Sequence, residues 1–116
     1  MSVLETFKQL KAEGKKIVVV TSYEYWSAKI LNDTDVDGIL IGDDLSMVIH
    51  GNENTMNCDV ETIAMHTRAV KKGAKDKFLI AAMPFMSNRK GFKEAMDNVE
   101  ILMKAGANAL KIEGVD

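Results

Sequence analysis

The stretch DVETIAMHTRAVKKGAKDKFLIAAMP, residues 59–84, decides the fold. Asp59 is a favourable helix N-cap, and apolar residues then recur at helical spacing up to Gly73, which we expect to cap the helix. The face predicted to be buried contains Val60, Ile63, Ala64, Thr67 and Val70. Residues 78–83 form an apolar run that Pro84 stops, which is typical of a strand. The stretch therefore predicts a helix followed by a strand.

The same alternation continues on both sides of this stretch. Further strands are predicted at residues 17–20, 38–42 and 108–113, and further helices at residues 3–13, 25–31 and 92–105. Ser2 and Glu5 have the spacing of a capping box before the first helix. The first strand, residues 17–20, shows no polar alternation and is expected to be buried on both faces. The polar residues 43–57 are predicted as a loop. This order predicts an α/β fold whose sheet is parallel, with the first and fourth strands at its edges.

Length and composition limit the classes of protein. The 116 residues fit one small domain, residues 1–116. Hydrophobic residues make up 47% and charged residues 28%, which is typical of a folded globular chain. The 15 basic and 17 acidic residues leave no positive excess to hold a phosphate backbone, so we do not expect nucleic-acid binding.

Cysteine usage and hydropathy bear on the compartment. Cys58 is the single cysteine, which excludes an internal disulfide framework and fits a reducing compartment. No apolar run approaches the roughly 18–20 residues that a membrane span needs. The first residues lack the basic-then-apolar order of a signal peptide. We therefore expect a soluble, cytoplasmic protein with no membrane partner.

Charged side chains stand where the predicted strands end. Lys111 and Glu113 are two residues apart, so on a regular strand they share a face, whereas Asp43 and Asp44 follow the second strand. In parallel α/β folds the carboxyl ends of the strands form the active site. Asp43 and Glu113 are then candidate oxygen ligands for Mg²⁺, and Lys111 is a candidate for holding an anionic substrate or an enolate. A simple ion pair between Lys111 and Glu113 is the structural alternative.

The two histidines and the cysteine are weaker candidates for a chemical role. His66 lies near the buried face of its helix, where packing or hydrogen bonding is the expected role. His50 lies in the polar loop and is expected to be solvated. Cys58 has no visible partner base, so the sequence does not favour a nucleophile there.

Four segments together resemble ketopantoate hydroxymethyltransferase, and the resemblance runs through essentially the whole chain. The segments are TSYE (21–24), IGDDLSM (41–47), MPFM (83–86) and AGANALKIEG (105–114). The resemblance implies the first half of a TIM (β/α)₈ barrel of the isocitrate lyase and phosphoenolpyruvate mutase type. It implies transfer of a hydroxymethyl group from the co-substrate 5,10-methylenetetrahydrofolate to 3-methyl-2-oxobutanoate, giving 2-dehydropantoate through a Mg²⁺-stabilised enolate. By position, Asp43 and Glu113 match metal-site carboxylates, and Lys111 matches the substrate-binding lysine.

Two residues depart from the pattern of that family. Ala82 stands where the family usually has a metal-site aspartate, and Asp44 stands where it has a substrate-contacting serine. We therefore expect weak Mg²⁺ binding, with Asp44 as a candidate substitute for the missing carboxylate. Asp44 can turn inward only if the chain has already left strand geometry there.

The chain matches only the first half of a barrel that needs about 250 residues, and the general base of the family lies in the other half. We therefore expect the 116-residue chain alone to be nearly inactive. Open parallel edges are also expected to favour a homo-oligomer. Three alternatives remain: a non-catalytic half-barrel or degenerate paralogue, another 2-oxo-acid enzyme of the same superfamily, and, more distantly, a flavodoxin-like regulatory domain.

Overall fold

The computed structural model describes residues 3–84, 86–87 and 89–113. The helices are α1 (Val3–Ala12), α2 (Tyr25–Asn32), α3 (Leu45–Val48), α4 (Val60–Gly73) and α5 (Phe92–Ala105). The strands are β1 (Val19–Thr21), β2 (Gly38–Ile41), β3 (Phe78–Ala82) and β4 (Ala109–Lys111). Ser2 of the expected capping box lies outside the described residues. Among the described residues, every helix is too short or too polar to cross a membrane.

The four strands form one parallel sheet in the order β1-β2-β3-β4, so each strand pairs with its neighbours in sequence. The predicted edge positions of the first and fourth strands are confirmed. A flavodoxin-like sheet reverses its strand order at a switch point, whereas this sheet progresses in one direction as the strands of a barrel do. The flavodoxin-like alternative is therefore wrong.

One face of the sheet is covered by helices, with α4 packed between α2 and α5. The register places Ile39 beside Leu79, and Ile41 beside Ala81, on this face. All four side chains are fully buried, as are the helix residues Ala28, Ile63, Ala64, Val70 and Leu102. Burial of this apolar surface is the main stabilising contribution to the sheet and its helices.

The opposite face carries Thr21, Leu40, Ile80 and Ala109 in one row, and these residues are partly or largely accessible. At the amino ends of the strands, α1 reaches this face. The Phe7 ring meets the Phe78 ring edge-on, with centroids 4.9 Å apart. Helix α1 thus covers the amino end of this face, whereas Thr21 and Lys111, at the carboxyl ends of the two edge strands, are exposed, so among the described residues the carboxyl end is the more open one.

The first strand is shorter and more exposed than the sequence predicts. It begins at Val19, and Ile17, Val18 and Val19 are 38%, 48% and 42% exposed. The prediction of burial on both faces is wrong because β1 is an edge strand with a single partner. The backbone N–H of Val18 instead donates to the Asp37 carboxylate at 2.8 Å.

The segment predicted as a loop contains the short helix α3. Leu45 is fully buried in the core, and the backbone N–H of Val48 donates to the Asp44 carbonyl at 3.0 Å. Leu45, Met47, Val48 and Ile49 are apolar, but this run is too short to show a helical period, so the sequence did not predict this turn. The fourth strand likewise ends at Lys111, so Glu113 lies beyond it.

Gly73 serves packing and does not form the predicted cap. It is the last residue of α4, and Ala74 occupies the C-cap position. A Cβ at Gly73 would lie 2.6 Å from the Tyr25 carbonyl oxygen and 2.9 Å from the Lys29 backbone nitrogen, so the glycine lets α4 approach the backbone of α2.

The predicted N-cap at Asp59 is confirmed, since its Oδ1 accepts hydrogen bonds from Thr62 N at 2.8 Å and Thr62 Oγ1 at 2.7 Å. These bonds, from the Thr62 side chain and then its backbone, lower the pKa of Asp59. We expect Asp59→Ala to reduce the free energy of unfolding by about 1 kcal/mol near neutral pH.

The loss depends on pH in a defined direction. Because the folded-state pKa lies below the unfolded value, the contribution of Asp59 is complete above the unfolded pKa and disappears as pH falls through the folded pKa. Urea unfolding from pH 7 to pH 3 measures it. Asp59→Asn, which keeps the acceptor without the charge, is the control. If the natural chain and Asp59→Ala differ in free energy of unfolding by the same amount at acid pH as at pH 7, this account is contradicted.

Candidate functional site

Lys111 and Glu113 lie together at the carboxyl end of the sheet. The register pairs Lys111, the last residue of β4, with Ala82 at the end of β3. Lys111 Nζ and Glu113 Oε1 are 2.7 Å apart, and the two side chains are 47% and 75% exposed. The ion pair considered from the sequence is therefore present. An exposed pair of this kind contributes little to stability, so Lys111 can readily exchange its partner.

Asp43 faces this pair from the end of β2 and is half-buried. Burial is the main cause that raises the pKa of Asp43, and repulsion from Glu113 is the next; Lys111 acts in the opposite direction. The two carboxylates therefore interact across the end of the sheet. A cation between them would offset both the desolvation and the repulsion.

Lys111 is held in its charged form. The hydrogen bond to Glu113 is the main cause that raises the pKa of Lys111, and attraction to Asp43 and Asp44 adds to it. A charged ammonium at the carboxyl end of the sheet is suited to an anionic ligand.

Asp44 has left strand geometry, with φ −63° and ψ −11°. Departure from strand geometry is the condition given above for the Asp44 side chain to turn inward. A Cβ on Gly42 would lie 2.6 Å from Asp44 Oδ1, so the carboxylate folds back over that glycine. Burial and then a hydrogen bond to Asp44 raise the pKa of Tyr23. Asp44 is thus near Asp43 but engages Tyr23, a partner that the sequence did not predict.

The residue at the position of the missing carboxylate is buried. Ala82 is 5% exposed and lies beside Lys111 in the register. Within the described residues, no group of three or more His, Cys, Asp or Glu side chains is arranged to hold a metal ion. Asp43 and Glu113 offer hard oxygen donors of the kind that Mg²⁺ prefers, and Lys111 already pairs with Glu113.

The weaker candidates take structural positions. His66 is half-buried, and its Nδ1 lies 2.5 Å from the Tyr23 carbonyl oxygen, in keeping with the expected hydrogen-bonding role. His50 is exposed as expected, yet it also contacts His66. Cys58 is buried, and burial raises the pKa of its thiol to about 11, which argues against a nucleophile.

A concave pocket lies outside the charged cluster. Its volume is about 360 Å³, and its lining includes Cys58, Pro84, Lys90 and Asn98, but none of the three charged residues of the candidate site. Lys111 and Glu113 of the cluster are open to solvent, with side chains 47% and 75% exposed.

Comparison with known families identifies the chain. The family model described as ketopantoate hydroxymethyltransferase matches residues 2–116. The chain belongs to the ketopantoate hydroxymethyltransferase family. The resemblance deduced from the four segments is therefore confirmed.

Relatives of known name cover the chain almost completely. The 3-methyl-2-oxobutanoate hydroxymethyltransferase of Coxiella burnetii (strain Dugway 5J108-111) is 49% identical over 110 residues, 95% of this chain and 41% of that protein. The protein of the same name from Clostridioides difficile (strain 630) is 46% identical over 112 residues, 96% of this chain and 41% of that protein. The chain thus spans about two fifths of the length of these members of the ketopantoate hydroxymethyltransferase family.

Solved structures agree in fold. A phosphonopyruvate hydrolase in complex with oxalate and Mg²⁺ matches 95% of this chain and 38% of its own, with TM-score 0.75 and 16% identity. A 2,3-dimethylmalate lyase, a member of the PEP mutase/isocitrate lyase superfamily, matches 97% of this chain and 40% of its own, with TM-score 0.71 and 14% identity. The predicted first half of a (β/α)₈ barrel is confirmed.

Proposed function

We propose that residues 1–116 form one partial barrel domain that supplies the first four strands of a hydroxymethyltransferase. The reaction moves a hydroxymethyl group from 5,10-methylenetetrahydrofolate to 3-methyl-2-oxobutanoate and gives 2-dehydropantoate. Family membership supports this reaction class. The observation that carries the assignment to a site is the meeting of Lys111 with Asp43 and Glu113 at the open end of the sheet.

Asp43 and Glu113 are proposed to hold Mg²⁺. When bound, Mg²⁺ would polarise the 2-oxo group and offset the charge of the enolate. The raised pKa of Asp43, caused first by burial and then by Glu113, supports the assignment because a nearby cation relieves both. Asp44 is proposed to contact the substrate, in the position where the family has a serine.

Lys111 is proposed as the catalytic cation. Its ammonium exchanges Glu113 for the carboxylate or enolate oxygen of the substrate, which the exposure of both partners permits. The general base is not among the residues proposed here. A cytoplasmic location fits the unpaired Cys58 and small soluble substrates.

Self-association is proposed as well. The apolar side chains of Val18 and Val19, at the edge strand β1, and of Trp26 and Ile30, on α2, are between 42% and 67% exposed. Covering them against another chain would bury apolar surface, which favours a homo-oligomer. Light scattering on the preparation used below gives the mass that tests this.

Substrate binding by the chain itself tests the site. In the presence of Mg²⁺, saturation-transfer NMR should detect 3-methyl-2-oxobutanoate bound to the natural chain. We expect Lys111→Ala to weaken this binding by at least about tenfold, since the charged partner of the substrate is lost. Lys104→Ala is the matched control because Lys104 is an exposed lysine paired with Glu100 on α5.

Turnover tests the whole proposal. We expect the chain alone to give no measurable 2-dehydropantoate. Joined to the remaining three fifths of the Clostridioides difficile relative, it should form the product, and Lys111→Ala in that fusion should abolish it. Rapid product formation by the 116-residue chain, or a folded fusion that binds substrate without any turnover, would contradict the proposal.

A second candidate is another 2-oxo-acid enzyme of the same superfamily. Two observations support this candidate: the fold is similar to that of the phosphonopyruvate hydrolase, and position 82 is an alanine. Competition between 3-methyl-2-oxobutanoate and phosphonopyruvate in the same NMR experiment discriminates the two. A chain that binds neither acid would support the non-catalytic half-barrel.

A further inference from the structure

The two histidines of the chain meet through their ring nitrogens although 16 positions separate them in sequence. His50 follows α3, and His66 lies on α4. Their Nε2 atoms are 3.1 Å apart, and the rings stand nearly perpendicular, at 85°. The pair shares no residue with the candidate site formed by Asp43, Lys111 and Glu113.

The hydrogen bonds fix the tautomer of His66. A carbonyl oxygen can only accept, so His66 Nδ1 carries a hydrogen and donates it to the Tyr23 carbonyl. In the neutral ring, His66 Nε2 then presents a lone pair towards His50. Histidines that bind metals characteristically donate their second ring N–H to a backbone carbonyl or carboxylate, which fixes the tautomer and raises ligand basicity. His66 already has this arrangement.

We propose that His50 and His66 bind a transition-metal ion of the Zn²⁺ class between their Nε2 atoms. Zinc–imidazole bonds are about 2.0–2.1 Å long. Because the two Nε2 atoms are 3.1 Å apart, the N–Zn–N angle at an ion bound to both would be about 100°. This angle lies between octahedral and tetrahedral geometry. His66 keeps its tautomer, and both rings turn so that their Nε2 lone pairs point at the ion. In His50 the hydrogen moves from Nε2 to the solvent-exposed Nδ1, with no net release of a proton.

The ligand types decide which ions fit. Imidazole nitrogens suit Zn²⁺, Ni²⁺ and Cu²⁺, whereas Mg²⁺ prefers oxygen ligands. No third His, Cys, Asp or Glu completes a site within the part of the chain that the structure describes, so solvent fills the remaining positions. The bound ion would tie the turn after α3 to α4, beside Tyr23. Tyr23 in turn contacts Asp44, so the ion would steady one border of the candidate substrate site.

Titration with ZnCl₂ in metal-free buffer, followed by isothermal calorimetry, tests the proposal on the 116-residue chain. We expect one Zn²⁺ per chain and an affinity at least about tenfold weaker in His50→Ala. His50 is exposed, so its removal leaves the core intact. Cys58→Ser is the matched control for a thiol ligand, and Asp43→Asn for the carboxylate cluster. Neither variant should change the Zn²⁺ affinity, and millimolar Mg²⁺ should not displace the ion.

Nitrogen-15 NMR of the histidine rings gives an independent readout. Without metal, the natural chain should show His66 protonated at Nδ1, and Zn²⁺ should shift the Nε2 signals of both rings. Equal Zn²⁺ affinity in the natural chain and His50→Ala would overturn the proposal. Loss of binding in Cys58→Ser or Asp43→Asn, or Zn²⁺ binding that leaves both Nε2 signals unmoved, would overturn it as well.

Discussion

The Asp43→Asn variant is expected to bind Mg²⁺ at least about tenfold more weakly than the natural chain. Asp43 is half-buried, and burial, followed by the nearby Glu113, raises its pKa, so its negative charge is unfavourable without a cation. Asparagine keeps the size and one oxygen but removes the charge that attracts the ion. Titration with Mg²⁺ by calorimetry, or with Mn²⁺ by electron paramagnetic resonance, measures the difference.

Two companion variants show whether Asp44 replaces the carboxylate absent at position 82. If Asp44 compensates, Asp44→Ser weakens Mg²⁺ binding, and Ala82→Asp strengthens it because it restores a carboxylate at the end of β3. If Asp44→Ser leaves binding unchanged while Asp43→Asn abolishes it, Asp44 serves only its contact with Tyr23. Unchanged Mg²⁺ affinity in Asp43→Asn would remove Asp43 from the metal site altogether.

Gly73→Ala is expected to destabilise the chain by about 2 kcal/mol or more, near the upper end of the usual cost of overpacking. Helix propensity alone predicts the opposite sign, since alanine is favoured over glycine within a helix by roughly 0.5–1 kcal/mol. Sterics dominate here because the added Cβ would lie 2.6 Å from the Tyr25 carbonyl oxygen and 3.0 Å from Ala28 Cβ. Backbone of α2 cannot move away cheaply, as the end of a flexible side chain could.

Thermal and urea unfolding measure this change, with an expected decrease in Tm of the order of ten degrees. Lys72→Ala, at the exposed position immediately before Gly73, is the control and should stay within about 0.5 kcal/mol of the natural chain. A Gly73→Ala variant as stable as the natural chain would show that α2 and α4 can separate without loss.

Apart from α3, the element order was predictable from sequence because buried strands and amphipathic helices carry different periodicities. Residues 38–41 and 78–82 are strands as predicted, and Asp59 caps α4. The exposure of residues 17–19 was not predictable, since an apolar β-branched run has the same sequence pattern at the edge of a sheet and at its centre. The role of Gly73 depends on how close α2 approaches, which is a tertiary distance that no local pattern encodes.

The candidate site was predictable in its members but only partly in its contacts. The carboxyl-end rule for parallel strands pointed to Asp43, Lys111 and Glu113, and the structure brings their charges together. The roles assigned to them remain predictions. The interaction of Tyr23 with Asp44, and the pairing of His50 with His66, join residues far apart in sequence and in different elements, so sequence spacing gave no signal for either.

The progressive strand order bears on how the chain is made. From β2 onward, each strand pairs with the strand synthesised just before it, so each new strand leaving the ribosome finds its partner already in place. Once β3 emerges, Ile39, Ile63 and Leu79 are all available to form the centre of the core. The short sequence separation between paired strands keeps the contact order low for a parallel sheet. Low contact order favours fast folding, so unpaired strand edges are exposed only briefly. Synthesis order and spatial order coincide along the whole sheet.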